Sequence, residues 1–106
     1  MRRGDIVLVA PAGEFGKPRP AVVLQADLPA EYITYLPVTS DLKRVPNVRI
    51  PIEPTAANGL RSSSEIMVDM IQTSSMGRFR QIIGSVDSEI LKQAEASLSL
   101  HLGLDG

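Results

Sequence analysis

All eight prolines of this 106-residue chain fall within its first 54 positions. Proline locks φ, lacks an amide donor and pushes the preceding residue toward extended backbone, so no long helix can run through that half. The apolar runs between the prolines are short and rich in β-branched residues, and glycine, proline or small polar residues bound them. That is the pattern of strands joined by turns. It predicts strands at 5–9 (DIVLV), 21–25 (AVVLQ), 33–38 (ITYLPV) and 48–52 (VRIPI). Pro37 and Pro51 place their strands at an edge or a bulge. Residues 11–18 and 53–63 read as loops, the second holding the turn pair Asn58-Gly59.

The longest strand predicted is 65–71 (EIMVDMI). With period two, Ile66, Val68 and Met70 point one way, and Met67, Asp69 and Ile71 the other. A helical turn is expected within 73–80 and a short strand over 81–86. Asp87 then caps a helix that runs to about Leu102 and closes at Gly103. Its apolar stripe is Ile90, Leu91, Ala94, Leu98 and Leu102. The expected fold class is mainly β, one domain over 1–106, with short strands curled into a small barrel and the helix packed against it.

Several chemistries are disfavoured by composition. Without cysteine there is neither a disulfide nor a thiolate metal site. His101 is the only histidine and sits near the end of the helix, where a cation suits the dipole. No metal-ligand spacing, glycine-rich nucleotide loop or Gly-x-Ser-x-Gly elbow occurs, so no cofactor and no metal is expected. The run from Ile6 to Ala10 is too short for a signal peptide and no segment is long enough to span a bilayer; a cytoplasmic protein is expected, with no membrane contact. Charge is uneven: residues 1–80 carry ten Lys or Arg against eight Asp or Glu, and residues 81–106 carry one against four. An ordinary solvated surface is the simpler explanation, and a basic groove for phosphates the other.

Three polar groups interrupt the apolar strands. Arg19 is held between Pro18 and Pro20, Thr39 and Ser40 stand where the third strand ends, and Asp69 lies inside an apolar run. Each has an ordinary explanation: an ion pair with Glu14, a local turn bond, an outward strand position. Together they suit a phosphodiester in RNA, whose 2′-hydroxyl is a built-in nucleophile. The guanidinium fork matches phosphate oxygens, the hydroxyls can bond the same oxygens, and a carboxylate can take a proton. That chemistry needs neither metal nor histidine.

The pieces RGDIVLV (3–9), KPRPAVVLQ (17–25), LPVTS (36–40), NGL (58–60) and SEIMVDMIQT (64–73), with the closing stretch 83–104, resemble the MazF/PemK (Kid) toxins in order and nearly end to end. The resemblance implies an SH3-like partly open barrel, a homodimer and metal-independent, sequence-specific cleavage of single-stranded RNA. It implies products with a 2′,3′-cyclic phosphate or 3′-phosphate and a 5′-hydroxyl. A cognate antitoxin with an acidic and apolar tail is the implied protein partner. Arg19, Thr39 and Asp69 are the implied catalytic residues. Ser40, Lys17, Phe15, Lys43 and Arg44 are the expected RNA contacts. Phe15, Tyr32, Tyr35 and Phe79 are the candidate stacking partners, at least one of them serving the core. One position departs: Kid-like members carry an arginine two residues before the aspartate, and here that position is Met67. The departure moves the acid role to Arg19 and favours a structural role for Asp69. Alternatives are a CcdB-like toxin that binds gyrase without cutting, disfavoured by the absence of an aromatic in HLGLDG, and a weakened homologue.

Overall fold

The computed structural model describes residues 1–11, 16–27 and 30–104. Seven strands form one antiparallel sheet: β1 (Asp5–Val9), β2 (Arg19–Val23), β3 (Tyr32–Thr39), β4 (Arg49–Ile52), β5 (Ser64–Met67), β6 (Gln72–Ser75) and β7 (Phe79–Ser85). Their order is β4-β5-β3-β2-β1-β7, with β6 also on β3, so β4 and β7 are unjoined ends and the barrel stays open. Helix α1 (Ser88–Leu102) follows.

The expected long strand at 65–71 is broken. It stops at Met67, turns through a 3-10 segment at Val68–Met70, and resumes as β6. Pro37 supplies the reason. Leu24 donates its amide to the Thr34 carbonyl, so the backbone of Thr34 faces β2. The two-residue period then turns Pro37 toward the other neighbour. On that side β5 pairs Val38 and Thr39, β6 pairs Tyr32 to Tyr35, and residues 36–37 have no partner. Pro37 has no N–H to offer there, and the neighbouring chain leaves the ladder where none is offered. Of the edge or bulge expected of it, Pro37 occupies no edge: it is tolerated in a central strand at an interruption of the ladder. Pro51 does lie on β4, an end of the sheet.

Both faces of the curled sheet bury apolar side chains. On one, Ile6, Val22, Leu36, Ile66 and Val68 are fully buried against Ala94 of α1. Burying each aliphatic side chain contributes about 1.5–3 kcal/mol. On the other, Val7, Val9, Ala21, Val23 and Ile33 surround Tyr35, whose ring meets Phe79 edge-on at 5.5 Å. Tyr35 donates its hydroxyl proton to Gln72 Oε1 and also meets Ser74 Oγ. Tyr35 and Phe79 thus serve the core.

Helix α1 begins and ends where the sequence predicts. Asp87 Oδ1 accepts the Ile90 amide at 2.8 Å, and Gly103 closes the helix at φ 70°. Ala94 is buried, and Ile90, Leu91 and Leu98 pack beside it. Leu102 is 48% exposed: the stripe loses the sheet one turn before the helix stops. Asp87→Ala should cost about 1 kcal/mol, read as a lower midpoint in urea unfolding with unchanged slope.

Candidate active site

Arg19 opens β2, opposite Val9 of β1. The β2–β3 ladder ends with Ala21 opposite Pro37; Arg19 lies two residues before the one and Thr39 two residues after the other. Thr39 in turn pairs with Glu65 of β5. Because β2 and β3 are antiparallel, Arg19 and Thr39, twenty positions apart, stand at the same end of two neighbouring strands. Among the described residues Arg19 has neither an ion-pair nor a hydrogen-bond partner. Glu14, its expected neighbour, lies outside the described residues, as does Phe15.

Two grooves meet at Arg19. One, of about 310 Å³, is lined by Arg19, Arg78, Tyr35, Pro37, Met67 and Gln72, among others. The second, of about 410 Å³, holds Lys17, Arg19, Ser40, Arg61, Ser62 and Gln81 above apolar side chains. Neither contains an acidic group among the described residues that line it. The arrangement is a cationic cleft with hydroxyl and amide donors, suited to an anion and a flat apolar group. Lys17 and Ser40 line the second groove with Arg19, whereas Thr39 lines neither. The Thr39 hydroxyl oxygen accepts the Asp41 amide at 3.0 Å, which leaves its proton free to donate.

Asp69 lines neither groove. It sits in the 3-10 turn with Oδ1 3.7 Å from Nε of Arg49. Both atoms are shielded from solvent and neither has a hydrogen bond among the described residues. Arg49 pairs with Met67 across β4 and β5, while Met67 faces the groove beside Arg19. The guanidinium beside Asp69 therefore arrives from β4 instead of from position 67. Nothing in the local sequence signals that reach; it exists only once β4 and β5 pair.

Lys43 and Arg44 lie on the loop after Ser40, outside both grooves. Their amides donate to Glu65 Oε1 and Oε2, each at 3.0 Å. Glu65 is nearly fully buried, and these charge-assisted bonds satisfy its carboxylate while anchoring the loop. Lys43 Nζ pairs with Asp41 at 3.3 Å in the open, a contact of little worth. Tyr32 is exposed at the end of β3 remote from Thr39. Among the described residues no group of His, Asp and Glu is placed to hold a metal ion. No described helix is long and apolar enough to cross a membrane.

Sequence reasoning missed Arg61 and Gln81. Arg61 sits in a loop read only as a turn, and Gln81 at a strand end with no local oddity.

Residues 2–102 match the family model for the PemK-like, MazF-like toxin of type II toxin–antitoxin systems. The chain is 34% identical over 109 residues to the probable endoribonuclease MazF of Mycolicibacterium smegmatis, covering the whole of both. The Mycobacterium tuberculosis toxin MazF-mt6 superposes with a TM-score of 0.80 at 19% identity, over 93% of this chain and 96% of that one. A mycobacterial endoribonuclease in complex with its cognate antitoxin gives 0.80 at 17% identity, over 98% and 96%. MazF in a MazE–MazF complex of Deinococcus radiodurans gives 0.78 at 22%, over 97% and 95%. At such identities the superpositions establish the fold.

Proposed function

The chain belongs to the PemK-like, MazF-like toxins of type II toxin–antitoxin systems and is an endoribonuclease of that family; we propose that it cleaves single-stranded RNA at a short sequence without a metal ion. The observation that carries this is the acid-free cationic cleft around Arg19, with Thr39 at the same end of the neighbouring strand. RNA brings its own nucleophile. The 2′-oxygen attacks phosphorus, the bond to the 5′-oxygen breaks, and a 2′,3′-cyclic phosphate and a 5′-hydroxyl remain. Charge develops on the non-bridging oxygens, where Arg19 and the Thr39 hydroxyl donate to it. Arg19 also supplies the proton of the departing 5′-oxygen and recovers it from water. Ser40 and Lys17 hold the strand in the groove, and Lys43 and Arg44 meet phosphates beyond it.

Asp69 has a structural role. With Arg49 it ties the turn between β5 and β6 to β4, and the 2′-proton leaves to water in the open cleft. Asp69→Asn should therefore retain cleavage to within about tenfold, where loss of a general base costs about 10²- to 10⁴-fold. Initial rates on a labelled oligonucleotide decide between the two.

The protein acts as a homodimer in the cytoplasm and is neutralised by a cognate antitoxin; in support, one fold relative is an endoribonuclease in complex with its cognate antitoxin and another is a MazE–MazF complex. An acidic and apolar antitoxin tail would compete with RNA for the cleft by charge. The direct test is incubation with a long single-stranded RNA in EDTA, followed by mapping of 5′ ends. Recurrent cuts with 5′-hydroxyl ends support the reading. Intact RNA alongside growth arrest in cells would refute it and point to a protein target such as gyrase.

A further inference from the structure

We propose that Gln81 reads a base edge and that Arg61 holds the phosphate next to it, so that these two residues select the RNA presented to Arg19. This rests on the ribonuclease reading above and adds the source of its specificity. The first support is a bulge. β1 pairs with β7 as Val7 with Ile82 and Val9 with Phe79, so Leu8 alone stands opposite both Arg80 and Gln81. A bulge of this kind re-aims a side chain out of the regular alternation. Arg80 is tied back to the carbonyl of Gly77 at 2.6 Å, whereas Gln81 lines the Arg19 groove.

The second support is how Arg61 is placed. Asn58 is buried and clamps its loop: Oδ1 accepts the amides of Thr55 and Leu60, and Nδ2 donates to the Glu53 carbonyl. The clamped loop is docked on β7 through the Ser85 amide, which donates to the Ala57 carbonyl at 2.9 Å. At Gly59 an added Cβ would lie 2.1 Å from the Ile83 carbonyl oxygen, so the two backbones are in contact. The strand that presents Gln81 and the loop that presents Arg61 are therefore one rigid wall of the groove.

The chemistries of the two differ in kind. The guanidinium is a permanent cation that takes a phosphate of any nucleotide. The amide is neutral and planar, with donor and acceptor side by side, matching a base edge such as N6 and N7 of adenine. Bases of single-stranded RNA expose those edges. A groove of about 410 Å³ has room for one splayed nucleotide over its apolar floor.

The test uses the full chain and its Gln81→Ala, Gln81→Glu and Arg61→Ala variants on a randomised RNA pool in EDTA, with sequencing of the cut sites. Gln81→Ala should lose the base preference at one position, by about 5- to 150-fold in the ratio of favoured to disfavoured base. Gln81→Glu, which only accepts, should change which base is preferred there. Arg61→Ala should keep the recognised sequence. Its binding to a 2′-O-methyl oligonucleotide of the mapped sequence should show a log–log salt slope smaller by about 0.7, one phosphate contact on a single strand. Wild-type specificity in both Gln81 variants, or an unchanged salt slope for Arg61→Ala, overturns the assignment alone. A wild type that cuts nothing overturns the ribonuclease reading and this one with it.

Discussion

Arg19→Ala should reduce RNA cleavage by at least about 10²- to 10³-fold, the loss found when one preorganised donor to a developing oxyanion is removed. Arg19 is exposed at the start of β2 and has no partner among the described residues, so its truncation leaves no buried group stranded. The melting temperature should therefore stay close to that of the wild type while the rate falls. Arg19→Lys should restore only part of the rate, because an ammonium keeps the charge and loses the planar fork. Initial rates on one labelled oligonucleotide, with a thermal melt of each variant, separate chemistry from folding. Activity within tenfold of wild type in Arg19→Ala would remove Arg19 from the mechanism and the cleft from consideration.

A large effect on stability is expected at Gly84. A Cβ there would meet the Ala57 carbonyl oxygen at 2.3 Å and the Asn58 carbonyl carbon at 2.5 Å, both backbone atoms held in the Asn58 clamp. Neither can swing aside as a side-chain tip can, so β7 or the loop must move. Gly84→Ala should cost about 3 kcal/mol, at the high end of overpacking. For a domain of this size that lowers the midpoint by about 12–24 °C. Calorimetry decides it. A shift under about 4 °C would mean that the loop is not clamped against β7. The wall that carries Gln81 and Arg61 would then lose its rigidity as well.

How far the sequence could be read depended on how far its signals travel. The helix from Asp87 to Gly103 was legible because a cap, a period and a stop all act within a few residues. Five of the strands, β1 to β4 and β7, were legible to within two or three residues for the same reason, Arg19 belonging to β2 because proline at 18 and 20 already holds it extended. By contrast, β6 lies where a helical turn was expected. The broken strand at Val68–Met70 was not legible. Its run of apolar residues is locally a good strand, and the interruption answers to Pro37, some thirty residues away in the chain. Asp69 misleads in the same manner. Read along the strand it looks like an outward carboxylate, and in the fold it meets Arg49 from β4.

The sequence by itself determined most of the element types, the absence of thiol and paired-imidazole chemistry, and the three polar groups that interrupt apolar runs. Each follows from residue identity or from spacing within one element. Only the tertiary structure decided which of those groups share a cleft. Strand pairing set Arg19 and Thr39 at the same end of neighbouring strands and left Asp69 to Arg49, and a bulge with two close backbone contacts brought Gln81 and Arg61 to the same groove. Register and docking are settled by contacts between segments far apart in the chain, and no local propensity encodes them.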